Sequence, residues 1–122
     1  MTTQSFGATA AQATAAGEPP IDRTHLSRMA LGDHALEREV LALFDRQIDL
    51  LVERISAADA SDVMELAHTL KGSARGVGAW PMARAAEAVE AAPPAELAHA
   101  VAALAATAGE TRAAIAGILG SA

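Results

Sequence analysis

Residues 33–59 read DHALEREVLALFDRQIDLLVERISAAD, and this stretch settles the fold class. Leu36, Val40, Leu43, Phe44, Ile48, Leu51, Val52 and Ile55 recur at steps of three and four, which aligns them along one side of an α-helix. Glu37, Arg38, Asp45, Arg46, Asp49, Glu53 and Arg54 fill the other side, the pattern of a solvated face. Asp33 stands just ahead of the first apolar position, where its carboxylate can accept from an orphan amide as an N-cap. A helix with one apolar stripe must bury that stripe against other helices, so the flanking sequence should supply them.

It does. Upstream, IDRTHLSRMALG (21–32) reads as a short helix ending at Gly32, a C-terminal glycine. Before it, MTTQSFGATAAQATAAGEPP (1–20) is low in complexity and closes on Gly-Glu-Pro-Pro, the composition of a disordered tail. Downstream, a third helix begins near Asp59 or Ser61 and runs through ELAHTLKGSARGVGA (65–79). WPMARAAEAVEAA (80–92) is a fourth, with Pro81 in its first turn, where a missing N–H costs nothing; Pro93-Pro94 ends it. AELAHAVAALAATAGETRAAIAGIL (95–119) is a fifth, with Leu97, Val101, Leu104, Ile115, Ile118 and Leu119 on one side. The expectation is an all-α domain over residues 21–122, an antiparallel up-down four-helix bundle with a short additional N-terminal helix.

Composition agrees. The 122 residues are 52% hydrophobic but only 2% aromatic, the excess being alanine, the strongest helix former. A formal net charge of −6 disfavours nucleic acid as a partner, since that affinity rests on clustered Lys and Arg. The absence of cysteine removes disulfides, thiolate nucleophiles and thiolate metal sites. No apolar run approaches the roughly 20 residues that cross a bilayer, and the N-terminus lacks a basic segment followed by a compact apolar one. The expected setting is cytoplasmic, with no membrane partner, and the expected state is a monomer.

The 65–79 stretch carries three glycines, each costing a helix interior roughly 1 kcal/mol relative to alanine. On a wheel of about 100° per residue, Val63, Leu66, Leu70 and Val77 form the core face. His68 points away from it, with Met64, Glu65, Lys71, Gly72 and Arg75 beside it. An exposed histidine cannot be a satisfied core residue. Gly72, one turn on, leaves open space next to the imidazole, and Lys71 and Arg75 place two cations nearby. A neutral imidazole is a competent nucleophile at neutral pH, and cations steady a transferred phosphoryl group. This is the layout expected of a phosphohistidine carrier. No glycine-rich nucleotide loop is present, so phosphorylation from ATP is not expected and the chain does not read as an enzyme.

These residues resemble a known family. AHTLKGSARGVGA (67–79) is similar to the signature of the histidine-containing phosphotransfer (HPt) domain, and Met82-Ala83, Ala86 and Val89-Glu90 follow at that family's spacing. The resemblance covers nearly the whole chain from about residue 21. It implies His68 as phosphoacceptor through Nε2, Lys71 as stabiliser of the phosphoryl group, Gly72 as the opening for a partner, and Gly78 as the turn out of the helix. It implies a two-component phosphorelay, with response-regulator receiver domains or a hybrid histidine kinase as partners. The chain itself would need no cofactor, the Mg²⁺ site being carried by the receiver. Met64, Glu65, Arg75, Glu37 and Arg38 are the candidate docking residues. Arg75-Gly76 departs from the family pattern, either tuning partner choice or shortening the helix.

Three rivals compete. Glu65/His68 and Glu96/His99 repeat the Glu-x-x-His spacing of di-metal carboxylate bundles, with Glu37, Glu39, Glu53, Glu87 and Glu90 available as further ligands. Such ligands must point inward, and here they fall on polar faces. A histidine-kinase dimerisation domain would have an acidic residue after its histidine and a proline soon after, whereas Thr69 follows here. A helical bundle that binds partners without being phosphorylated is the third. His25, His34 and His99 read as ordinary surface or helix-end residues, and Trp80 as an apolar anchor at the entrance to the fourth helix.

Overall fold

The computed structural model describes residues 17–120, so most of the expected N-terminal tail lies outside the described residues. Five helices follow: α1 (Arg23–Met29), α2 (His34–Ala57), α3 (Ala60–Val77), α4 (Trp80–Ala91) and α5 (Leu97–Gly120), the last entered through a 3₁₀ turn, Pro94–Glu96. No strand occurs among the described residues. Aspartates start the first three. Asp22, Asp33 and Asp59 accept from the amides of His25, Leu36 and Asp62 at 3.0, 3.1 and 3.2 Å, each satisfying an orphan donor for a gain of about 1 kcal/mol.

Helices α2 to α5 form a ring in which each packs on its two neighbours, with α5 closing on α2. The order of contacts along three of these pairs is antiparallel. Arg38 of α2 reaches the Leu119 carbonyl of α5, while Asp45 meets Arg112. On the next flank, Val40 and Val77 line one groove between α2 and α3, and Arg54 and Asp62 line another. Between α3 and α4 the pairs are His68–Glu90 and Arg75–Glu87. The core joins Leu41, Phe44, Ile48, Leu51 and Ile55 of α2 to Leu70 of α3, Met82 and Val89 of α4, and Leu104 and Ile115 of α5. Alanines fill the α3–α4 side: Ala67, Ala74, Ala83 and Ala86 are all buried. Small residues at a contact let helix axes approach closely. The one buried hydroxyl of α5, on Thr111, donates to the Thr107 carbonyl at 2.9 Å.

Three sequence expectations need correction. The α2 stripe is rotated from the one read above: Leu41, missed there, is buried, while Leu36 and Leu43 are exposed, and Glu37 occupies a buried position at 5% exposure. Leucines on both flanks of α2 made the phase ambiguous. The first helix stops at Met29, before Gly32, and the chain turns back through left-handed Leu31 (φ 56°) and Gly32 (φ 75°). Lastly, Gly76 does not shorten α3, which continues to Val77 and ends on left-handed Gly78 (φ 85°).

α1 is fastened to that helix end. The Asp22 amide donates to the Gly78 carbonyl at 2.9 Å, and His25 Nε2 donates to the Gly76 carbonyl at 3.1 Å. Trp80 Nε1 donates to Asp22 Oδ2 at 2.9 Å, and its ring meets the His25 ring edge-on at a centroid distance of 5.0 Å. His25 is therefore a tie between helices rather than an ordinary surface residue. The Trp80 indole, reinforced by the His25 amide, holds the Asp22 carboxyl below its ordinary range.

Candidate functional site

His68 lies on the outer face of α3 with 71% of its side chain exposed, opposite the Val63, Ala67, Leu70 and Ala74 side that packs inward. Helical spacing dictates this, since His68 lies about 160° from Leu70. Lys71, three residues on, shares the face but folds down against the bundle, with only 15% of its side chain exposed.

Between them comes Glu90, from the last turn of α4. Its Oε2 is 2.9 Å from His68 Nδ1 and its Oε1 is 2.7 Å from Lys71 Nζ. The Glu90 side chain is 23% exposed, and one group of α4 thus holds two of α3. The Lys71 ammonium, helped by His68, keeps the Glu90 carboxyl below its ordinary value of 4.5 against the opposing effect of burial. Glu90 is therefore an anion at neutral pH. A carboxylate only accepts, so the contact requires a proton on Nδ1. In the neutral ring the lone pair is then on Nε2, the nitrogen turned away from Glu90.

A methyl group built on Gly72 would meet nothing within 4 Å. The glycine is not forced by packing, and its helix cost is repaid only by what it leaves open beside His68. Met64 and Glu65 are exposed one turn before His68, and Arg75, half exposed, faces Glu87 at 3.6 Å. All three belong to the face of α3 that carries His68. Glu37 and Arg38 do not. Glu37 is buried, and Arg38 caps α5 by donating to the Leu119 and Ile118 carbonyls at 2.6 and 3.4 Å. Antiparallel pairing sets the start of α2 beside the end of α3, since Val40 and Val77 share a groove. Val77 lies nine residues beyond His68, about 13 Å at 1.5 Å per residue.

Glu90 is the site residue that sequence reasoning passed over, treating it as one position of a motif and a spare metal ligand. Its signal was there: it directly follows Val89 at the edge of the Met82–Ala86–Val89 stripe, a charge placed on the rim of a packed face. The repeated Glu-x-x-His does not converge. Glu65, His68, Glu96 and His99 are all exposed, and among the described residues no three His, Asp or Glu side chains gather as a metal would need.

A family model described as the Hpt domain matches residues 35–115, well over half of the chain. The chain belongs to the Hpt domain family. Hpt domains are helical bundles that carry phosphoryl groups on histidine in phosphorelays and are not kinases. No curated protein and no solved structure matches the chain. Among the described residues no helix of this Hpt domain is long and apolar enough to cross a membrane.

Proposed function

We propose that this Hpt domain is a relay carrier that takes a phosphoryl group from a receiver-domain aspartate onto His68 Nε2 and passes it to a second receiver. The observation that carries the reading is the 2.9 Å contact between His68 Nδ1 and Glu90, which leaves Nε2 as the free nucleophile beside an unfilled Gly72.

The chemistry balances simply. The Nε2 lone pair forms the N–P bond while the acyl-phosphate P–O bond breaks, and its electrons leave on the donor carboxylate. With its Nδ1 proton retained, the phosphorylated ring gains a positive charge, and the Glu90 carboxylate lies directly opposite it. Lys71 supplies a cation on the same face for the phosphoryl oxygens. Transfer onward reverses the step, the receiving carboxylate attacking phosphorus and the neutral imidazole leaving. Little covalent work is asked of the carrier; positioning and charge do most of it. The Mg²⁺ that steadies the acyl phosphate belongs to the receiver. The reading takes the carrier as a cytoplasmic monomer, without ATP binding or autokinase activity.

The test is phosphoryl transfer from acetyl-phosphate-loaded receiver domains of the source organism to the purified chain. Wild type should acquire an acid-labile phosphate that His68→Gln lacks. Equal labelling of His68→Gln, or no labelling of wild type by any receiver, would leave only a non-phosphorylated binding bundle.

A further inference from the structure

Helix α2 carries two apolar faces, and the bundle uses one. Its core stripe is buried, yet Leu36, Leu43 and Leu50 are 38%, 60% and 51% exposed. They stand seven residues apart, and a straight α-helix drifts only about 20° per heptad, so they form one column. At about 100° per residue, that column lies about 120° round α2 from the middle of the buried stripe. It is therefore a separate face and not the margin of the core. An apolar position repeated every seven residues is the seam of a helix that packs along another helix. The exposure of all three leucines shows that no helix of the domain closes over this seam, and a row of exposed large apolar side chains marks a contact surface.

Charge identifies the occupant. On the solvent side of the column lie Glu39, Arg46 and Glu53, again seven residues apart and alternating in sign. All three are exposed, and Glu39 and Arg46 hold no ion pair among the described residues. We infer that the column is a self-association seam, on which α2 of a second copy of this chain lies antiparallel, with the two-fold axis beside Leu43. In that register Leu36 meets Leu50 of the second copy, Leu43 meets its own equivalent, and Glu39 comes within reach of Arg46, twice by symmetry. A two-fold interface must be self-complementary, and this face is so in both its leucines and its charges. An anionic lipid surface does not fit it, since the face carries more glutamate than arginine. α2 has 24 residues, about 36 Å at 1.5 Å per residue and about 12 Å across. Two such faces bury about 860 Å² in all, short of the roughly 1,200 Å² at which stable complexes begin. The dimer is thus a reversible one. The single copy remains the carrier unit of the relay reading, on which this inference does not rest.

The test is sedimentation velocity of the full chain over a concentration series reaching about 1 mM at low salt, where exposed charges are least screened. Wild type should move toward twice its monomer mass as concentration rises. Leu43→Glu should raise the dissociation constant tenfold or more, because it sets two carboxylates face to face on the axis. Glu39→Arg and Arg46→Glu should each raise it about tenfold by turning two attractive pairs into repulsive ones. The double variant Glu39→Arg/Arg46→Glu should return it to within threefold of wild type, and His99→Glu, on α5, should match wild type. All of these positions are exposed, and thermal melts near that of wild type show that each variant folds. A wild type that stays monomeric throughout the series overturns the inference and leaves the column to a partner of different sequence. Association that survives Leu43→Glu overturns it as well. So does a double variant no tighter than either single one, since the antiparallel exchange of charges is then not the contact. None of these outcomes bears on the labelling of His68, so the relay reading stands or falls separately.

Discussion

Replacing Glu90 probes the contact on which the site depends. In the phosphorylated ring the charge near Nδ1 faces a carboxylate 2.9 Å away. Two unit charges at that distance attract by about 1.4 kcal/mol even at the dielectric of water. The water value is the appropriate one, because the His68 side chain is 71% exposed and solvent can replace much of what Glu90 supplies. About 1.4 kcal/mol is tenfold in rate. Glu90→Gln keeps the volume and an acceptor for Nδ1–H but removes the charge, so it should slow phosphoryl transfer about tenfold with the imidazole tautomer unchanged. Glu90→Ala removes both, and should slow transfer further and move the neutral-ring proton toward Nε2. It also strands the ammonium of Lys71, a side chain only 15% exposed. The stability cost should fall between the near-zero value of a surface pair and the 3–5 kcal/mol of a fully buried one, at roughly 1–2 kcal/mol. The assays are stopped-flow transfer with phosphorylated receiver, ¹⁵N shifts of the His68 ring, and urea unfolding. If both variants fold, transfer at the wild-type rate and show the wild-type tautomer, then Glu90 neither orients nor charges the nucleophile, and the mechanism above is wrong.

Two glycines close together should respond with opposite sign to the same change. Gly76→Ala has open space for its methyl and should stabilise the domain by about 0.5–1 kcal/mol through helix propensity. Gly78→Ala must hold φ near 85° with its methyl 3.1 Å from the Asp22 carbonyl and the His25 ring, and should cost about 1–2 kcal/mol. Thermal melts would separate them by several degrees, and a destabilised Gly76→Ala would contradict the packing described. Acid should weaken the fold. Asp22 and Glu90 are both held below their ordinary values, so the unfolded chain binds their protons more tightly than the folded one. Their contribution is complete above the ordinary carboxylate range near pH 4–4.5 and drains away as pH falls from there through the lower folded values. Glu90→Gln should flatten its share of that slope in urea titrations at stepped pH.

The sequence told most about what repeats along one helix and least about what meets between two. The wheel placed His68 outward and Gly72 beside it, because both belong to α3 and period alone relates them. Asp33 was legible as a cap for the same local reason. Glu90 is 22 residues from His68 along the chain, and nothing in a single helix shows that its carboxylate reaches across. Glu37 and Arg38 point elsewhere for the converse reason: antiparallel register, which no local pattern states, sets them beside the end of α3, with Glu37 buried and Arg38 on the α5 carbonyls. The phase of α2 slipped because Leu36, Leu43 and Leu50 make a second apolar column, and surplus leucines look like core until the neighbours are in place. His25 was undervalued because its partners, Gly76 and Trp80, come from the distant α3–α4 elbow.

The alanines between α3 and α4 have a consequence beyond helix propensity. Ala67, Ala74, Ala83 and Ala86 are buried and set how near the two axes come, and a glutamate side chain has a fixed reach. Glu90 touches both His68 and Lys71 only while that gap stays narrow. The contact between the two helices is thus calibrated by buried spacers that carry no charge. Widening the gap by one buried methylene or two at Ala86 would detune the nucleophile with every charged residue still present, much as a lens loses focus when its mount shifts.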